Sequence, residues 1–207
     1  MSKVKEEKFY KNIKKFWNWL WHSNSLASWL VLFAIAFIIV KFIFFPIASV
    51  MLKSSMPFVI VESYSMQHCY SMNRNPLWHC SFNDYWLNHG YWYENIGISK
   101  QNFSKFPFKN GLDAGDIAVL KGQQEYNVGE IIVYIANKKP IIHRIIKKRC
   151  EINVTKTCFY ETKGDNNNGQ IPFEKNIRQE QIIGKVIFVI PKFGWIKLLP
   201  FKLLGLS

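Results

Sequence analysis

At 207 residues, the chain has room for one short appendage and one domain of about 150 residues with a real hydrophobic core. Its formal net charge of +13 would suit a nucleic-acid binder. The basic residues are dispersed, however, and no nucleic-acid-binding motif occurs, which excludes that class and leaves anionic lipid as the partner of the charge.

Residues 1–25 hold Lys3, Lys5, Lys8, Lys11, Lys14 and Lys15 against Glu6 and Glu7. Phe9, Phe16, Trp17, Trp19, Leu20 and Trp21 interleave with those lysines, as in a helix lying in the headgroup layer. Residues 26–50 are apolar apart from Lys41 and cover 25 positions, where about 20 suffice to span a bilayer. The run is too long for a cleaved signal peptide, and no small-x-small site follows before Ser54. Lys41 can snorkel, and Pro46 is placed to kink or end the helix. The lysines ahead of the span predict a cytoplasmic N-terminus and an extracytoplasmic domain over residues 51–192 of a cell-membrane protein, an endoplasmic-reticulum membrane being the less favoured setting.

Beyond the span the pattern predicts strands. Pro57 to Val61 is a short apolar run that ends at Ser63. Residues 67–112 form a long aromatic, cysteine-containing insertion, a length that points to a functional or membrane-surface loop or to a small disulfide-stapled subdomain. Ala114 to Leu120 and Val128 to Tyr134 each pair a turn glycine and an acid with a β-branched run. Pro140 to Ile146 and Ile182 to Ile190 are further strands. Helix-period signals are nearly absent outside the span, so the external domain is predicted to be mainly β. Residues 193–207 form an apolar tail, too short for a second span and suited to the membrane surface.

All four cysteines follow the span, as Cys69 with Cys80 and Cys150 with Cys158. Two local pairs in an oxidising compartment predict disulfides. Zinc is the alternative, because His68-Cys69 and His79-Cys80 repeat one dipeptide, but neither pair has C-x-x-C spacing. No metal and no cofactor is expected. Asn102-Phe103-Ser104 and Asn153-Val154-Thr155 are glycosylation sequons on the same side.

Three short motifs carry the chemistry. Ser65 sits in Val61-Glu62-Ser63-Tyr64-Ser65-Met66, about fifteen residues after the span, and an isolated serine needs a base to attack an amide. His143 alone among the histidines lies in a strand-like run, where an imidazole is rigidly held for general-base work. Thr162-Lys163-Gly164-Asp165-Asn166-Asn167 is a tight turn able to orient a neighbour.

The order of these elements resembles type I signal peptidase, in its archaeal and endoplasmic-reticulum branch. That order is membrane segment, Ser-x-Ser-Met, paired Gly-acid strand starts, His-Arg, Thr-Lys-Gly-Asp-Asn-Asn, then Ile-Ile-Gly-Lys-Val. The resemblance runs from the span to about Pro191-Lys192-Phe193-Gly194, apart from residues 67–112. It implies a signal-peptidase-like β-sheet catalytic domain behind a single N-terminal transmembrane helix, with Ser65 as nucleophile, His143 as general base, Ser63 in the oxyanion hole and Asp165 as the acid. It implies secretory preproteins as substrates and the protein translocation channel as a possible partner. Two departures stand out. Tyr64 occupies a position that is often glycine, and Ile171 stands where the family usually carries a second aspartate. Asp165 is therefore the favoured orienting acid, with Glu174 as the alternative. The competing reading is a catalytically silent protein that binds preproteins or docks to a translocation partner.

Overall fold

A computed structural model describes residues 3–68, 81–152 and 156–203, and divides the chain into two units, Met1–Met51 and Leu52–Ser207. In the first unit, helix α1 spans Lys3–His22. It ends before a turn in which the Ser28 hydroxyl donates to the Ser23 carbonyl at 2.8 Å. Ser25 then caps the next helix, its hydroxyl accepting the Ser28 N–H at 3.2 Å, as an N-cap serine does for an otherwise unpaired donor.

That next helix runs unbroken over Leu26–Leu52, with a mean hydropathy of 2.8. Among the described residues it is the one helix long and apolar enough to cross a membrane, as a single-pass membrane protein requires. It comprises α2 (Leu26–Ile39), a π-helical stretch (Val40–Phe44) and α3 (Phe45–Leu52). Pro46 explains the stretch. Its nitrogen cannot donate and its ring crowds the carbonyl one turn back, so the preceding turn widens and Phe45 N–H bonds to the Val40 carbonyl. The Lys41 ammonium lies 5.6 Å from the Phe37 ring and 5.4 Å from the Phe42 ring.

The second unit is built on one seven-stranded antiparallel sheet. Its strands are β1 (Phe58–Ile60), β2 (Ile117–Lys121), β3 (Ile131–Ala136), β4 (Lys139–Ile152), β5 (Lys156–Lys163), β6 (Ile177–Arg178) and β7 (Ile182–Ile190), in the order β1-β2-β7-β3-β4-β5-β6. Strand β3 is buried on both faces. Ile131 and Val133 join Met66, Leu120, Ile142 and Val186 on one side, while Ile132 and Tyr134 join Ile145 and Tyr160 on the other. The β4–β5 hairpin sets Cys150 opposite Cys158, and the two sulfurs are bonded. Cys69 and Cys80 lie outside the described residues.

The expectation of a mainly β domain is overturned. Helices α4 (Phe82–Asn95), α5 (Lys100–Phe103) and α6 (Trp195–Leu203) are interspersed with the sheet, and the fold is mixed α/β. Helix α4 lies within the expected aromatic insertion. It begins at a reciprocal cap in which Ser81 accepts the Asp84 N–H at 3.2 Å and Asp84 accepts the Ser81 N–H at 3.1 Å. Tyr85, Trp86 and Tyr93 of α4 then pack with Ile98, Phe103 and Ile146 in a third cluster. The insertion is thus a packed helical layer, because these rings bury far more apolar surface as a helix face than an open loop could.

Candidate active site

Ser65 lies in the turn that follows β1. Two features hold that turn. Met66, fully buried, anchors it in the core, while its carbonyl accepts the Leu112 N–H at 2.9 Å and the Ser65 carbonyl accepts the Asn166 N–H at 2.8 Å. The side-chain amide of Asn166 also donates to the Tyr64 carbonyl at 3.1 Å. The loop after β5 therefore grips the serine turn through its backbone, independently of the side chains displayed there. Tyr64 points outward with 54% exposure, so it does not fill the space beside Ser65.

Strand β4 delivers His143. Its Nε2 lies 3.1 Å from Ser65 Oγ, although the two residues are 78 positions apart. Its Nδ1 lies 2.5 Å from Glu174 Oε1, with both side chains buried. That approach is out of line with the ring N–H and falls short of a well-aligned hydrogen bond. A carboxylate beside Nδ1 favours the ring tautomer with its proton there, which turns the Nε2 lone pair toward the serine.

Glu174 is itself held rigidly. It ends the 3₁₀ turn Pro172–Glu174, its Oε2 accepts the Ile171 N–H at 2.7 Å and its Oε1 accepts the Gly164 N–H at 3.2 Å. Gly164 is required for closeness. A β-carbon there would stand 2.8 Å from His143 Nε2 and 2.6 Å from Asn167 Nδ2.

Asp165 was the expected orienting acid, and the structure places it elsewhere. Successive strand residues point to opposite faces, so Arg144 points away from His143, and Asp165 follows Arg144. Arg144 Nη2 donates to Asp165 Oδ2 at 2.6 Å and Nε donates to Oδ1 at 2.9 Å. His68 Nε2 donates to Oδ2 at 2.8 Å and the Tyr93 hydroxyl donates to Oδ1 at 3.1 Å. Burial by itself would raise the Asp165 carboxyl. The charge and hydrogen bonds of Arg144 and His68 together outweigh it and hold the carboxyl well below the usual range. The same burial, together with the Asp165 charge, pushes the Tyr85 and Tyr93 phenols well up. The remaining Arg144 donors reach the carbonyls of Pro107, Gly129 and Phe108 at 2.8–2.9 Å. All of this pins the loop rather than the base.

Three further contributors escaped sequence reasoning. His68, stacked on Tyr85 at 3.5 Å, was one of several histidines in the aromatic segment. Lys163 is buried, and its ammonium donates to the carbonyls of Gly164 and Asp165 at 3.0 and 3.1 Å. It also lies about 5 Å from the Trp92 and Tyr93 rings of α4. Burial lowers its pKa to about 8, partly offset by the charges of Asp165 and Glu174. Asn166 is the third, and only its place directly after the Gly-Asp pair signalled it.

Ser63 Oγ lies 3.1 Å from Ser65 Oγ and is the distant acceptor, at 3.5 Å, of the Ser65 N–H. A hydroxyl and a weakly engaged backbone N–H thus sit together beside the nucleophile, the pair of donors a developing oxyanion needs. A neighbouring cleft of about 1080 Å³ is lined by His68, His89, Asn166, Gln170 and Ile171 among others. Ser65 and His143 do not line it. Among the described residues, the group close enough to share a metal is Glu125 with Cys150 and Cys158, but those sulfurs are bonded to each other. Glu125 is already engaged by Lys156 at 2.6 Å and Lys148 at 2.9 Å.

No protein-family model matches the chain, and no curated protein matches it significantly.

Proposed function

We propose that this chain is a membrane-anchored serine endopeptidase of the type I signal peptidase kind, in the branch that uses histidine as base, and that it removes signal peptides from secretory preproteins. The observation that carries the reading is the line Ser65 Oγ, His143 Nε2, His143 Nδ1, Glu174 Oε1, with separations of 3.1 and 2.5 Å at its two ends. Nucleophile, base and carboxylate in that relation make up the arrangement acyl transfer needs.

In this mechanism Ser65 Oγ attacks the scissile carbonyl while His143 Nε2 takes its proton. Glu174 stabilises the imidazolium and keeps the ring in its productive orientation. The Ser65 N–H and the Ser63 hydroxyl receive the oxyanion. His143 then gives its proton to the leaving amine, and water attacks the acyl-enzyme with the same base assisting. Strand β1 closes one edge of the sheet, so an extended substrate can align beside it by backbone pairing. The resemblance implies small residues at the first and third positions before the cut, selected by shallow apolar pockets near Pro57 to Val61. The lysines before the span favour a cytoplasmic N-terminus with the peptidase unit outside.

The test is to incubate the purified protein with a preprotein in detergent and sequence the new N-terminus. Cleavage after a small residue is expected, and Ser65→Ala and His143→Ala should each abolish it while expression and membrane insertion persist. Undiminished processing by purified His143→Ala would sink the mechanism. Preprotein binding without cleavage by the native chain would favour a silent binding protein.

A further inference from the structure

Helix α1 carries two stripes that the peptidase reading does not use. Phe9, Ile13, Phe16 and Leu20 recur at helical spacing, with Tyr10, Trp17 and Trp21 along one flank. Lys8, Lys11, Lys15, Asn18 and His22 recur on the other side, and Lys14 lies at the boundary. Leu20 is buried, but Phe9, Trp17 and Trp21 stand 63%, 58% and 61% exposed. An aromatic face left open to this extent marks a binding surface.

We infer that α1 is an in-plane anchor for anionic lipid, seated in the same bilayer that Leu26–Leu52 crosses. Three observations select lipid as the occupant. The apolar stripe is mostly aromatic, and tryptophan and tyrosine favour the headgroup boundary, where the ring body and the polar atom meet different surroundings. The charge is complementary, since Lys8, Lys11, Lys14 and Lys15 outnumber Glu6 and Glu7, with Lys8, Lys11 and Lys15 on the side away from Phe9, Phe16, Trp17 and Trp21 and Lys14 at the boundary. Continuity is the third. Only Ser23, Asn24 and Ser25 separate α1 from the span, and this turn is fixed by Ser23 N–H to the Trp19 carbonyl at 3.0 Å and by the Ser25 cap. The rings occupy the upper acyl layer, the lysine stripe meets the lipid phosphates, and the Lys14 stem lies along the aromatic flank with its ammonium in the headgroups.

The experiment uses the full chain, one copy per nanodisc, in phosphatidylcholine with or without phosphatidylglycerol, and measures amide hydrogen exchange over residues 9–21. Exchange is expected to be slower in the anionic discs. Lys11→Gln with Lys15→Gln should cost about 30-fold of that protection, taking about 1 kcal/mol per lysine near an anionic surface. Phe16→Ser with Trp17→Ser should remove protection in both lipids. Equal exchange in the two lipids with no response to lysine neutralisation would overturn the assignment. So would protection that emerges only with two copies per disc, which would make a second chain the occupant.

Discussion

Two histidine–carboxylate pairs flank the loop that follows β5, and they differ in what lies beyond the imidazole. His143 and Glu174 are 2.5 Å apart, and past the ring stands a serine hydroxyl in a partly open turn. His68 and Asp165 are 2.8 Å apart, and around them stand Arg144, Tyr85 and Tyr93. The first carboxylate accepts two backbone N–H groups and lies against a ring nitrogen, and the Lys163 ammonium acts on it through space with no direct ion pair among the described residues. The second is neutralised by a guanidinium. An acid that must stabilise a transient imidazolium keeps its charge unspent, whereas an acid paired with arginine has already committed it. Orientation of a base and anchoring of a loop are thus separate tasks here, given to residues nine positions apart in sequence.

The contrast can be broken most sharply at the histidines. His143→Ala should lower the cleavage rate by about 10⁶-fold, measured as kcat on a preprotein. His68→Phe, which keeps a ring against Tyr85, should leave kcat within about tenfold and lower the unfolding temperature. A large loss of kcat in a well-folded His68→Phe protein would mean that the second pair takes part in the chemistry. The carboxylates come next. Glu174→Gln removes the charge that meets the imidazolium and should reduce kcat by about 10⁴-fold with little change in KM. Asp165→Asn should instead act on stability, and Arg144→Ala more strongly still, by about 3–5 kcal/mol, because it strands a buried carboxylate. Denaturant unfolding in detergent checks both. If Asp165→Asn lowers kcat more than Glu174→Gln does, the two roles are exchanged.

Acid should reveal the same division. The Asp165 carboxyl is held below its ordinary range, so the folded chain binds fewer protons than the unfolded one around pH 4. Its stabilising contribution is present above the usual carboxylate pKa of about 3.9 and is lost as the pH falls below that value. Unfolding followed from pH 6 to pH 2 should therefore show a steep loss that is absent in Asp165→Asn. An equal slope in the two proteins would mean that the ion pair does not control acid stability.

Sequence reading succeeded where one periodicity dominated. The span, the paired glycine-acid strand starts and β7 were all visible as unbroken apolar or alternating runs. Helix α4 was hidden because aromatic residues occupy so much of it that no polar face stands out. Yet Phe82, Tyr85, Trp86, His89 and Tyr93 fall at helical spacing behind the Ser81–Asp84 cap, and that cap was the missed signal. Glu174 was hard to favour for a different reason. Which carboxylate meets His143 is decided by the path of the loop around the strand, not by distance along the chain. The alternation of β4 nevertheless held a clue: a buried arginine beside the base demands its own acid, and Asp165 was the nearest acid of the motif.

Lys163 offers the finest test, because its effect runs against the usual trend for a paired lysine. Its pKa of about 8 in the folded chain lies below the ordinary 10.5, chiefly through burial. Between those two values the unfolded chain holds more protons than the folded one, so stability from this group rises with pH. The cost of burying the ammonium is fully present below pH 8 and relieved as the pH approaches 10.5. Lys163→Met lacks that titration but keeps a flexible apolar stem against Trp92 and Tyr93. The difference in unfolding temperature between the native chain and Lys163→Met should shift in favour of the native chain by a few degrees from pH 7 to pH 10. A constant difference over that range would mean that the ammonium is as well accommodated as in water, with the carbonyls of Gly164 and Asp165 and the two aromatic rings fully replacing its hydration.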